Sequence, residues 1–194
     1  LRLGDSFKLR EQEDVLIVGN NDAQEYSVKF GKTANLWLCR DRRHSATIQT
    51  TFDRAGGSSG SPVFNSTGEV VAIHFSGTDT TSFEMRIEYL KDALAQLLAS
   101  GRVRRGEIGV DLDTLLISDA RKHFKMPDGL AKELGALRGD IKRVAVVELV
   151  APRSPAAGQL MAGDIVLKLD GRWVGDDVYL FDRLVDEQVG RKVA

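Results

Sequence analysis

The sequence predicts a mostly β chain with some α-helix, laid out as two successive units. Three observations carry this expectation. Short apolar or alternating runs divided by turn residues fill positions 15–87. A helical run then places Leu90, Ala93, Leu94, Leu97 and Leu98 on one face. Beyond Gly101, strand-like and helix-like stretches mix. The units this suggests are 1–100 and 101–194.

In the first unit, strands are expected at 15–18, 26–30, 36–39, 46–51, 63–64, 70–75 and 83–87. The last rests on Phe83, Met85 and Ile87 alternating with polar neighbours, and "GNNDAQ" supplies a turn between the first two. Gly101 stops the helix. The second unit should open with a strand at 108–112 and a helix at 118–124, followed by a loop to about Lys142 and a strand at 144–150. Ser154 and Pro155 read as the cap and first-turn proline of a short helix. A strand at 165–169 ends at the turn Asp170-Gly171, and a helix at 178–185 follows with Asp176 or Asp177 as its cap.

Of the 194 residues 42% are hydrophobic, enough for a substantial core, and 27 basic against 28 acidic side chains leave a net charge of -1. That balance gives no pull toward nucleic acid, and the basic runs at 39–43 and 102–105 are short enough to be solvated faces. Cys39 is the only cysteine, so neither an intrachain disulfide nor a cysteine metal cage is expected. No metal or cofactor is implied. No apolar run approaches the roughly 20 residues that span a bilayer, and the opening residues do not read as a signal peptide.

The stretch that points to chemistry is "DRAGGSSGSPVFNSTGEVVAIHF", 53–75. A Gly/Ser linker is the plain alternative. As G-x-S-x-G it would mark Ser58 on a strand-to-helix elbow, but Pro62 and the β-branched residues that follow predict a strand. As G-x-S-G-x-P it marks Ser59, and in this form it resembles the nucleophile loop of trypsin-like serine proteases. That resemblance implies Ser59 as nucleophile and the N–H groups of Gly57 and Ser59 as the oxyanion hole, with the glycines allowing close approach to a carbonyl oxygen.

Three longer segments, 3–20, 46–73 and 86–110, together resemble the HtrA (Deg) family. In that family a trypsin-like domain is joined to a PDZ domain. The resemblance implies that the first unit is the second barrel of a chymotrypsin-fold protease domain. "ELVAPRSPAAGQLMAGDIVLKLDGRWV", 148–174, resembles the family's PDZ core, although its turn is one residue shorter and 125–142 departs from a compact pattern. "GGSSGSP" and "DEQVGRK" look most like the large eukaryotic-type members.

In that family the triad's histidine and acid precede the segment that begins at Leu1. None of His44, His74 and His123 occupies the base position, so the 194 residues alone are expected to be catalytically incompetent. For specificity, Asp53 matches the pocket-base position, which favours basic substrate side chains. His74 matches the position where glutamyl endopeptidases receive acidic ones. Alternatively the two pair and leave a small apolar pocket, or Asp53 faces water or Arg54 and His74 is an ordinary strand residue.

The PDZ resemblance implies an added peptide strand whose C-terminal carboxylate meets the N–H groups of Ile108, Gly109 and Val110, with Leu180 and Leu184 facing the groove. The family's properties imply an ATP-independent endopeptidase of protein quality control that acts on unfolded proteins as trimers or larger assemblies. They imply a periplasmic site for a bacterial member and a nuclear or organellar one for a eukaryotic type. The rival reading is a pseudoprotease, a peptide-binding scaffold without chemistry.

Overall fold

The structure is a computed structural model that describes residues 1–21, 24–39, 46–53, 56–137 and 142–192. His44 and Arg54 lie outside the described residues, as does the side chain of Cys39. The chain divides into two compact units, one holding Leu1–Leu38 with Thr47–Val103, the other holding the residues from Arg104 onward.

The first unit is a closed antiparallel barrel. Its strands are β1 (Asp14–Gly19), β2 (Ser27–Cys39), β3 (Ala46–Thr50), β4 (Pro62–Asn65), β5 (Val70–Gly77) and β6 (Ser82–Arg86), joined in the order β1-β2-β3-β6-β5-β4. Closure leaves no strand edge for another chain to pair with. Val15 and Ile17 of β1 point inward beside Ile48, Val63, Val71, Ala72, Leu9 and Phe52. Their neighbours Leu16 and Val18 face outward, opposite Phe30 and Val28 of β2.

β2 merges two predicted strands. The glycine between them, Gly31, makes room instead of a turn, since a Cβ there would stand 2.7 Å from the Phe52 ring. β6 departs further from expectation. Its polar residues Glu84 and Arg86 are buried along with Phe83, because the barrel interior supplies partners for both. Arg86 donates through Nη1 to the Ser6 carbonyl at 3.1 Å and through Nη2 to the Leu36 carbonyl.

Helix α1 (Ile87–Ser100) follows, ended as expected by Gly101 in the left-handed region with its N–H on Leu97 O. Only its first turn is buried, through Ile87, Glu88 and Tyr89. Glu88 anchors that turn by accepting hydrogen bonds from the backbone N–H and the hydroxyl of Ser6. The expected apolar face at Leu94, Leu97 and Leu98 is exposed.

In the second unit, β7 (Val110–Leu116), β8 (Arg143–Val150) and β9 (Ile165–Val166) form a sheet in that order. Helices α2 (Ile117–His123) and α3 (Asp128–Leu137) lie between β7 and β8 in sequence. The hairpin β10 (Lys168–Leu169) and β11 (Arg172–Trp173) precedes α4 (Val178–Glu187). Ala120, Met126, Leu134 and Val144 form a core cluster.

α3 replaces the expected loop. Leu130, Ala131 and Leu134 share one helical face, and burying Leu134 offsets the poor propensity of the glycines. The expected helix at Ser154 is instead a series of turns, in which Ser154 N–H meets Ala151 O and Ala157 N–H meets Ser154 O. Asp177, not the buried Asp176, caps α4 by accepting from Leu180 N–H at 2.9 Å. No helix is long and apolar enough to cross a membrane among the described residues.

Candidate functional site

The serine loop runs from the end of β3 to β4, with Gly57 at φ +88° and Gly60 at φ +89°. These conformations are open to glycine and strained for other residues. Gly57 also needs the space, since a Cβ there would lie 2.8 Å from the Asn20 carbonyl oxygen. Between the two glycines the serines separate: Ser58 is fully buried and Ser59 is exposed. Ser58 Oγ donates to Asn21 Oδ1. Of the two serines that the sequence motifs offered, Ser59 is thus the one open to solvent.

The backbone donors of the loop divide in the same way. Gly60 N–H bonds to His74 O at 2.8 Å and Ser61 N–H to Ser58 O at 2.9 Å, while His74 N–H returns to Ser61 O at 2.9 Å. The N–H groups of Gly57 and Ser59 donate to no acceptor among the described residues. Two free donors flanking a buried residue, beside an exposed hydroxyl, can receive a carbonyl oxygen that gains negative charge.

Asp53 and His74 do not meet. Asp53 has its side chain 76% exposed and faces Lys29 Nζ at 3.3 Å. His74 Nδ1 lies 3.0 Å from Glu84 Oε2, directly across the β5–β6 register, and Glu84 Oε1 accepts from Thr50 Oγ1 at 2.8 Å. Glu84 is wholly buried, so its oxygens depend on these two partners. The second nitrogen of His74 has no hydrogen-bond partner among the described residues.

In the second unit the segment Glu107–Val110 presents another set of free donors. Ala151 N–H bonds to Gly109 O at 2.8 Å and Ala156 N–H to Ile108 O at 3.0 Å, which turns both carbonyls toward 151–156. With Val110 opposite Val150, the bond from Ala151 makes that a non-hydrogen-bonded pair, so the N–H and C=O of Val110 face the open edge of β7. The N–H groups of Ile108 and Gly109 have no acceptor among the described residues. Gly109 sits at φ +77°, and a Cβ there would stand 2.1 Å from Ser154 Cβ.

Beside this segment lies a recess of about 520 Å³ lined by Ile108, Val185, Val189 and the cationic Arg105, Arg191 and Lys192, among others. Leu184 is buried in the core and Leu180 is half-buried, and neither lines this recess. Sequence reading had no signal for Val185 beyond the helical period. It also missed Asp186, which accepts from Gly106 N–H at 2.7 Å and pairs with Arg105 at 3.3 Å, tying the approach to the loop onto α4.

A closed six-stranded barrel with a glycine-framed serine loop defines the class, and residues 1–73 match the trypsin-like peptidase domain family. The first unit is a trypsin-like peptidase barrel. Over most of its length the chain is similar to HtrA (Deg) serine proteases, as three comparisons show. It is 32% identical over 179 residues to a probable periplasmic serine endoprotease DegP-like of Pseudomonas fulva, covering 89% of this chain and 35% of that protein. It is 27% identical over 190 residues to the pro-apoptotic serine protease NMA111 of Meyerozyma guilliermondii, covering 93% and 19%. The solved HtrA-type protease AlgW with tripeptide shares the fold at TM-score 0.56 and 24% identity, covering 96% of this chain and 60% of that one. The chain therefore spans about a third of its bacterial relative and about a fifth of its yeast relative.

Proposed function

We propose that this chain carries the nucleophile of an HtrA-type serine endopeptidase, joined to a PDZ domain that reads peptide C-termini. One observation carries the catalytic half: the Ser59 side chain is exposed beside two backbone N–H groups, its own and that of Gly57, that have no acceptor among the described residues, while the hydroxyl of Ser58 is buried and engaged. Ser59 Oγ attacks the scissile carbonyl carbon and passes its proton to a general base. The N–H groups of Gly57 and Ser59 donate hydrogen bonds to the oxyanion. Collapse breaks the C–N bond, the base returns the proton to the leaving amine, and water then hydrolyses the acyl-enzyme. The family resemblance assigns the base and its orienting acid to residues outside these 194, and His74 pairs instead with Glu84 inside the barrel.

The second unit supports the PDZ reading through the open edge of β7 and the free N–H groups of Ile108 and Gly109 beside Val110. A peptide strand would pair with Val110, its carboxylate would meet these donors, and its last side chain would enter the recess at Val185 and Val189. Unfolded proteins as substrates and homo-oligomeric assembly are what the family resemblance implies, and a periplasmic site for a bacterial member, or a nuclear or organellar one for a eukaryotic type, belongs to the same proposal.

The test is fluorophosphonate labelling of the full-length product of the reading frame, with a peptide ligand bound, beside its Ser59→Ala variant. Labelling that vanishes in the variant supports an activated Ser59. A well-folded protein that never labels would make the peptide-binding scaffold the better reading.

A further inference from the structure

We propose that Asn21 is a positioning residue for the serine loop, holding through Ser58 the two peptide units whose N–H groups form the oxyanion hole. The inference rests on the assignment of Ser59 as nucleophile and deepens it.

The two arms of the loop are held by different means. After Ser59 the backbone is fixed to β5 by the bonds of Gly60 and Ser61 with His74. Before Ser59 the backbone bond shown among the described residues stays within the loop, from Ser61 N–H to Ser58 O at 2.9 Å, and the N–H groups of Gly57, Ser58 and Ser59 have no acceptor among the described residues. What ties this arm to a segment outside the loop, among the described residues, is a side chain. Ser58 Oγ donates to Asn21 Oδ1, and both residues are buried, at 0% and 2% exposure.

Asn21 is itself fixed in direction. Its Nδ2 donates to Ser27 Oγ at 2.6 Å and to Ser27 O at 3.2 Å, its backbone N–H to Ser27 Oγ at 3.0 Å, and Ser27 Oγ donates on to Gly19 O at 3.4 Å. Two acceptors around Nδ2 decide which way the amide lies, so Oδ1 must face the loop and Ser58 must be the donor. The chain Ser58 to Asn21 to Ser27 to Gly19 runs one way and ends on the last residue of β1.

The turn after β1 and the loop also fit each other sterically. A Cβ at Gly19 would lie 2.1 Å from Ser61 Oγ, and one at Gly57 2.8 Å from Asn20 O. Three successive residues, Gly19, Asn20 and Asn21, thus meet Ser61, Gly57 and Ser58 in turn. The Ser59 N–H lies in the peptide unit that directly follows Ser58, and the Gly57 N–H in the unit joining Gly56 to Gly57, so a shift at Ser58 re-aims the first directly and the second through the backbone of Gly57.

The experiment is a double-mutant cycle in the full-length protein with Asn21→Ala, Ser58→Ala and the pair, read by kcat and KM on a peptide substrate and by affinity for a peptidyl boronate. Ser58→Ala removes a single oxygen and keeps the cycle readable if Asn21→Ala unfolds the barrel. Each single variant should lose about 10- to 100-fold in kcat and in boronate affinity with KM within about threefold, and the pair should be no worse than the poorer single. Folded variants with kcat within twofold of the parent, a loss in KM alone, or losses that multiply in the pair would each overturn the role. A parent that does not react with fluorophosphonate removes the nucleophile assignment and this inference with it. A reactive parent with indifferent Asn21 and Ser58 variants removes only the inference.

Discussion

The serine loop and the segment Glu107–Val110 solve one problem in opposite ways. Each keeps backbone N–H groups free beside a glycine at positive φ, Gly57 at +88° and Gly109 at +77°. The serine loop belongs to a closed barrel with no strand edge, so its free donors come from a turn, and a buried side chain braces it. The second segment opens the edge strand of a three-stranded sheet, and its carbonyls are tied back by backbone bonds from Ala151 and Ala156. Under the proposed function the braced loop would stabilise a charge for an instant, and the unpaired edge would hold an extended chain.

The largest test of this contrast is Ser59→Ala in the full-length protein. Turnover should fall by roughly 10⁶, while the affinity of the second unit for a C-terminal peptide, read by fluorescence anisotropy, should stay within about twofold. A variant that still turns over at the parental rate would break the assignment.

Glu84 tests whether the barrel interior relies on buried polar groups. Glu84→Ala strands His74 Nδ1 and Thr50 Oγ1, and urea unfolding should show a loss of about 3–5 kcal/mol, with Glu84→Gln losing less. Equal losses in both would mean that the site needs the carboxylate itself and not the volume it fills.

Gly109→Val places a side chain where Ser154 already stands, at a φ that disfavours it. Affinity for a C-terminal peptide should fall at least about 100-fold, or roughly 2.7 kcal/mol. Unchanged binding would show that the peptide docks elsewhere.

The smallest effect is expected of Asp53→Asn. The carboxylate is mostly exposed and pairs with Lys29, so stability should change by less than about 0.5 kcal/mol. The ratio of cleavage after basic to cleavage after small apolar residues should move by about twofold or less. A collapse of that ratio would put Asp53 at the pocket base after all.

Much of the fold was legible because its signals are local. Short apolar runs between turn residues located β1 and β5, and the helical period with Gly101 bounded α1. The glycine-serine pattern singled out Ser59 because positive φ and close approach are properties of single residues. What stayed hidden depends on partners distant in sequence. Nothing near Gly31 says that it faces Phe52, and α3 looked like a loop until Leu134 found a core to fill. The exposed stripe on α1 shows the converse, since a periodic apolar face does not say what it packs against.

The sequence alone determined the strand-rich first unit, the serine motif and the relation to HtrA-type proteases, because these rest on residue types at fixed short spacings. Only the tertiary structure decided that Asp53 turns to Lys29, that His74 belongs to Glu84 and that Asn21 reaches Ser58. Each of those pairings joins residues on different strands or loops. Barrel closure sets which of them meet, and for the buried His74, Glu84, Asn21 and Ser58 burial then favours the partner that closure has brought within reach.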